Sequence, residues 1–176
     1  MTDLSYDPIA LVEIRETYER LTGENFNFKM NILEFPLAWR WTQTSHAVFS
    51  EEMLNSMRPL LPTEAANIQN LVRSYQSSRD RLNKVTCESI SIDTSKVTRD
   101  EIAKWLKQNV GNEVSPVIVS WSNDLALEAL WQIFNEHWDD FCYPSSDDVV
   151  IWPNSGKWAL QYFHHEQFTF WLRTAA

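Results

Sequence analysis

The chain has 176 residues, 44% of them apolar, with nine Trp, nine Phe and five Tyr. At this size folding buries about 70% of the surface an unfolded chain exposes, so one hydrophobic core is expected and disorder is excluded. The three glycines, Gly23, Gly111 and Gly156, are too few for glycine-rich phosphate loops or dinucleotide fingerprints, and the net charge of −9 opposes binding to nucleic-acid phosphates, which requires Lys and Arg. No apolar run approaches the ~18 residues of a membrane span, and Met1 to Asp7 lacks a basic region followed by an apolar one. Two cysteines, Cys87 and Cys142, supply neither a disulfide framework nor a CxxC zinc site. A cytoplasmic chain with reduced thiols, no cofactor and no membrane or nucleic-acid partner is expected.

In chain order, Asp7-Pro8 reads as an N-cap and first helical position, and Leu11, Ile14, Tyr18 and Leu21 predict an amphipathic helix over 8–22, stopped by Gly23. Strict alternation from Asn25 to Ile32 predicts a strand. Trp39 and Trp41 repeat that alternation after Pro36 and suggest a second extended segment. Ser50 before two glutamates and Thr63 before Glu64 are helix starts, the second leading a helix over about 64–83 with Ile68, Leu71, Val72, Tyr75 and Leu82 inward. Residues 85–92 are strand-like. Thr98-Arg99-Asp100-Glu101 is a capping box for a helix that ends before Gly111, and 116–121 is a further strand.

From Ser122 or Asn123, the stripe Leu127, Leu130, Trp131, Phe134, Trp138 and Phe141 has helical spacing. It predicts one long helix whose opposite stripe is Asp124, Glu128, Gln132, Asn135 and Asp139. Val149 to Trp152, Lys157 to Phe163 and Gln167 to Leu172, separated by turns at 153–156 and 164–166, read as an antiparallel meander. The expected architecture is a single α+β domain over 1–176, an antiparallel sheet ending in a β-meander and packed against several amphipathic helices.

Charge is concentrated in one stretch. From Gln108 to Gly156, 49 residues, there is no Lys or Arg and there are eight acids: Glu113, Asp124, Glu128, Glu136, Asp139, Asp140, Asp147 and Asp148. Residues 1–107 carry a net of −2 and 157–176 a net of +1. Such a run is either a solvated face that confers solubility or a surface for a cationic partner. Tyr143 and Trp152 flank Asp147-Asp148, and an aromatic beside carboxylates suits an Arg or Lys anchor. The expected partner-binding set is Asp124, Glu128, Asp139, Asp140, Tyr143, Asp147, Asp148 and Trp152. As exposed charges, Asp139 and Asp147 should be replaceable without loss of the fold.

His164-His165-Glu166, with His137 and Asp140, offers metal-ligating and proton-transfer groups, yet no spacing of the HExxH kind directs two nitrogens to one ion. No metal site and no catalytic residue is expected. Cys142 follows an acidic segment, which raises a thiol pKa rather than activating it. Asp139-Asp140 and Asp147-Asp148 could supply a carboxylate pair for hydrolysis, but adjacent acids on helix ends and loops are common. A metal- or carboxylate-dependent hydrolase using His137, His164 or His165 is the alternative function.

The segment Trp138-Asp139-Asp140-Phe141-Cys142-Tyr143-Pro144-Ser145-Ser146-Asp147-Asp148, followed by His165-Glu166-Gln167-Phe168, resembles the C-terminal part of small bacterial immunity proteins of contact-dependent inhibition and other polymorphic toxin systems. The likeness is confined to the C-terminal third. It implies a cytosolic antidote that binds one toxin domain, often a cationic nuclease, and blocks its active site.

Overall fold

A computed structural model describes residues 30–67, 87–153 and 158–173. Its frame is one seven-stranded antiparallel sheet: β1 Arg58–Pro59, β2 Cys87–Asp93, β3 Pro116–Ser122, β4 Leu125–Leu130, β5 Val149–Pro153, β6 Trp158–Phe163 and β7 Gln167–Arg173, in the order β1-β4-β3-β5-β6-β7-β2. Five helices, α1 Trp39–Thr42, α2 Glu51–Ser56, α3 Arg99–Val110, α4 Trp131–Glu136 and α5 Trp138–Phe141, join it with two 3-10 turns, Ile32–Glu34 and Thr94–Lys96, and 62–67 is also helical. The α+β architecture and the C-terminal meander of β5, β6 and β7 are as expected from the sequence.

Alternation along each strand divides the sheet into two faces. On one, Val117, Val119, Leu127, Ile151, Leu160, Tyr162, Phe168 and Phe170 join Ile102 and Leu106 of α3, Trp131 and Phe134 of α4, Phe141 of α5 and Trp41 of α1 in a single core. The other face, with Ile118, Ser120, Ala126, Glu128, Val150, Trp152, Ala159 and Gln161, is buried as well.

Two local helix signals lie where the sequence puts them. Thr98 and Glu101 complete both halves of the capping box, and α3 ends at Gly111 with φ 75°, a value that suits glycine. Ser50 accepts from the backbone N–H of Met53 and starts α2. The expected helix over 8–22 lies outside the described residues, as do most of the 25–32 strand, the distal part of the 64–83 helix and the 153–156 turn beyond Pro153. Ile32 is not in a strand: Asn31 accepts from Leu33 N and starts a 3-10 turn. Trp39 and Trp41 are helical rather than extended, and the turn sends Arg40 and Trp41 into the interior.

The largest correction concerns the long helix after Ser122. Residues 125–130 form β4, which returns antiparallel along β3 through the Asn123-Asp124 turn, and helix begins only at Trp131. Ala, Leu and Glu favour helix intrinsically, but both faces of β4 are covered, so burial and pairing outweigh propensity. Trp121 is the extra residue of a bulge between Ser120 and Ser122. Its indole Nε1 donates to the carbonyl of Phe141 (2.9 Å), which ties the sheet to α5.

Phe141 is the hub of that junction, fully buried with its ring centroid 5.1 Å from Trp41, 5.4 Å from Phe134 and 6.4 Å from Trp121. Phe141→Ala should destabilise the protein by about 3–5 kcal/mol, measured as a lower urea midpoint with an unchanged denaturant slope.

Candidate partner-binding surface

The acidic stretch is without bases in sequence and is partly neutralised in three dimensions. Arg40 of α1, buried, places Nη1 2.5 Å from Asp147 Oδ2 and Nη2 3.1 Å from Oδ1, a bidentate pair, and Nη1 also donates to the carbonyl of Phe141 (3.2 Å). Arg58 of β1 pairs with Glu128 across the strand register. Arg99, the first residue of α3, donates through Nε to Asp139 Oδ2 (2.7 Å) and through Nη2 to the carbonyl of Glu136 (2.6 Å). Glu113 accepts from Ser115 N (2.8 Å) and Trp158 Nε1 (3.1 Å). Burial pushes its carboxyl up, but these donors outweigh burial and hold it below the usual value.

Of the other four acids, Asp124 and Glu136 are exposed and Asp140 and Asp148 partly so, and Asp139 also keeps part of its side chain in solvent beside Arg99. Asp124 lies at the β3–β4 turn, exposed, with Ser122 Oγ 2.8 Å from it. Asp148 accepts from the backbone N–H of His164 and faces that ring's Nδ1 at 3.0 Å. Asp140 is half-buried, 3.5 Å from His137 Nδ1. Burial and the adjacent Asp139 raise its pKa against the opposing pull of His137 and Arg99. The Oδ1 oxygen of Asp139 is shielded and has no hydrogen-bond partner among the described residues.

Of the expected partner-binding residues, therefore, Asp124, Asp139, Asp140, Tyr143 and Asp148 are wholly or partly accessible, whereas Glu128, Asp147 and Trp152 are buried. The exposure expected for those three is corrected: Glu128 lies on a doubly covered strand, Asp147 turns inward to Arg40, and Trp152 packs within β5. Asp147 cannot be replaced freely, because its Oδ2 also accepts from Tyr143 N (2.9 Å) and so shapes the loop that carries the aromatic group.

Composition alone did not reveal that aromatic group's neighbours. Tyr143 stands with Trp39 and His46 at ring-centroid distances of 5.8 and 6.0 Å, and Trp39 and His46 are 4.6 Å apart. The Tyr143 hydroxyl lies 3.3 Å from His46 Nδ1, and the Arg40 guanidinium lies 4.2 Å from the Tyr143 ring centroid. Burial raises the Tyr143 phenol, Arg40 opposes the rise, and Asp140, Asp147 and Asp139 add to it, so aromatics and carboxylates occupy one neighbourhood. The signal missed was the pairing of Trp39 with a buried arginine next to it.

The histidines are spread over local pairs. His137 faces Asp140, His164 faces Asp148, and His165 Nε2 lies 3.1 Å from Gln167 Oε1. Among the described residues no group of three His, Cys, Asp or Glu side chains is arranged to hold a metal ion. The Cys142 thiol is fully buried and pushed well up by burial, with Asp147 adding to the effect, so it is not activated as a nucleophile. No helix among the described residues is long and apolar enough to cross a membrane. No protein-family model, curated protein or solved structure matches this chain.

Removing one partner of a buried ion pair leaves an uncompensated charge. Asp147→Ala should therefore cost about 3–5 kcal/mol, while Asp139→Ala, which removes a half-exposed pair, should cost at most about 1 kcal/mol. Equilibrium urea unfolding of both variants checks the contrast. Asp140 gives a pH test. Its folded carboxyl holds a proton more tightly than the unfolded one, so stability falls as pH rises from the ordinary value of 3.8 through the raised folded value. Asp140→Asn should melt higher than the parent at neutral pH, with the advantage gone below that window.

Proposed function

We propose that this chain is an immunity-type binding protein that neutralises a basic partner, a toxin nuclease domain in the first instance, by occlusion. The carrying observation is the junction of α4 and α5. Two adjacent carboxylates are held there half-shielded, Asp140 with a raised pKa, and both bear electrostatically on Tyr143 of the aromatic group that it forms with Trp39 and His46. The fold itself would be more stable without the Asp140 charge. Destabilising features of this kind concentrate where activity requires them, and a cation from a partner would relieve the cost.

The proposed surface comprises Glu136, Asp139, Asp140 and Tyr143, with Asp148 nearby in sequence and Asp124 as a separate exposed acid. Tyr143 supplies a flat anchor for a guanidinium or ammonium group. The net charge of −9 would steer a cationic domain and raise its association rate towards about 10⁸ per molar per second at low salt, which suits an antidote in competition with a toxin's substrate.

The test uses the polypeptide encoded immediately upstream, where the toxin of such a pair is expected. The expected result is a tight complex whose association rate falls steeply with salt and whose affinity drops by about 2–5 kcal/mol in Glu136→Lys with Asp140→Lys, folded by circular dichroism. A folded double variant of unchanged affinity, or a salt-independent rate, rejects this surface. Replacing His137, His164 and His165 together by Asn or Gln should leave protection near the parental level. Its abolition in a folded variant would favour the hydrolase.

A further inference from the structure

The two rims of the sheet differ. One is β1, two residues long and containing Pro59, which has no N–H to offer an incoming strand. The other is β2, in which all seven residues from Cys87 to Asp93 pair with β7 without a register shift, and whose outer edge has no neighbouring strand among the described residues. Natural edges are usually guarded by Lys, Pro, a bulge or extreme shortness. None of these guards Cys87–Asp93: Ser89, Ile90 and Ser91 are exposed, Ile90 at 49%.

We propose that β2 is a self-association edge, on which the β2 of a second copy pairs antiparallel about a two-fold axis at Ile90, joining the two sheets into one. The three central residues, Ser89, Ile90 and Ser91, are complementary to themselves about that point. Ile90 faces Ile90, Ser89 faces Ser91 in both directions, Glu88 falls opposite Ile92, and Cys87 falls opposite Asp93. Apolar and hydroxyl cross-strand pairs of this kind stabilise a sheet, and no acid directly opposes another acid. Leu172, 42% exposed, lies two places along β7 from Phe170, the register partner of Ile90. It therefore shares the face of Ile90, and the axis brings two such apolar patches together. Asp93, at the strand end, is compensated within its own chain by Lys96 Nζ at 2.7 Å. The uncharged centre Ser89-Ile90-Ser91 presents nothing specific to a cationic strand and suits a copy of itself. The isologous two-fold contact is also the commonest form of self-assembly.

Two copies of charge −9 repel each other, so salt strengthens this contact, the opposite of its effect on a complex with a basic partner. Sedimentation equilibrium of the full chain at low and high salt should show a dimer of twice the chain mass whose dissociation constant falls as salt rises. Ile90→Lys, which places like charges directly opposite at the axis, should give a folded monomer by circular dichroism and thermal melting. Leu33→Lys, at a 65% exposed site in the Ile32–Glu34 turn and outside β2 and β7, should remain dimeric. In a Cys87→Ser background, Ile90→Cys should form a disulfide-linked dimer under mild oxidation, and this arm stands if Ile90→Lys fails to fold. A parent chain that is monomeric at high concentration in both salts overturns the proposal, as does a folded Ile90→Lys dimer or an Ile90→Cys variant that does not cross-link. A monomer that uses the edge only in a complex with another protein overturns it too.

Discussion

The ion pair between Arg40 and Asp147 is the contact on which the surface side of the fold depends. Burying two charges is costly unless each finds several partners, and here they do. Arg40 satisfies both oxygens of Asp147 and the carbonyl of Phe141, and Asp147 accepts from Tyr143 N and Ser146 Oγ. One guanidinium thus anchors α1 to the end of α5 and to the loop that follows. The same loop is pinned at its far side, where Ser145, at φ 67°, donates its N–H to the carbonyl of His164 in the β6–β7 turn.

Beneath this polar anchor lies an aromatic one. Phe141, Trp41, Trp121, Phe134, Phe35 and Phe49 form a continuous set of ring contacts between the helices and the sheet. Large rigid rings bury much area for little side-chain entropy, which allows helices as short as α1 and α5 to be held in place although neither would persist alone. The carbonyl of Phe141 accepts from both Trp121 Nε1 and Arg40, so the polar and aromatic anchors meet in one residue. The position of Tyr143, two residues on, follows from that meeting.

Charge has a corresponding division of labour. Arginines from the first two-thirds of the chain neutralise Glu128, Asp139 and Asp147, and what reaches solvent is a smaller acidic surface than the linear run suggests. Asp140 is the exception. It sits in a position whose own electrostatics oppose its ionisation, and for that reason it bears more weight in a functional reading than the greater number of acids around it.

Several caps, the Gly111 stop and the C-terminal meander were legible in the chain itself, because each is decided by neighbours a few positions away, whereas the alternation at 25–32 and at Trp39 and Trp41 did not give strands where it is described. Ser50, the Thr98–Glu101 box, Gly111 and the β5–β7 meander lie where their local chemistry puts them. Leu125 to Leu130 was not legible, since its Leu and Ala residues fit a helical stripe as well as a strand covered on both sides, and only pairing with β3 and β1 separates the two. The same limit governs the site. Composition located the acids and Tyr143, but whether a carboxylate faces water or an arginine depends on residues 40 to 107 positions distant in sequence, and that separation is closed only by the tertiary structure. Sequence by itself determined that this is an acidic, aromatic-rich α+β chain. The folded arrangement decided which of its charges are used internally, because Coulomb energy depends on distance in space and on burial, not on order along the chain.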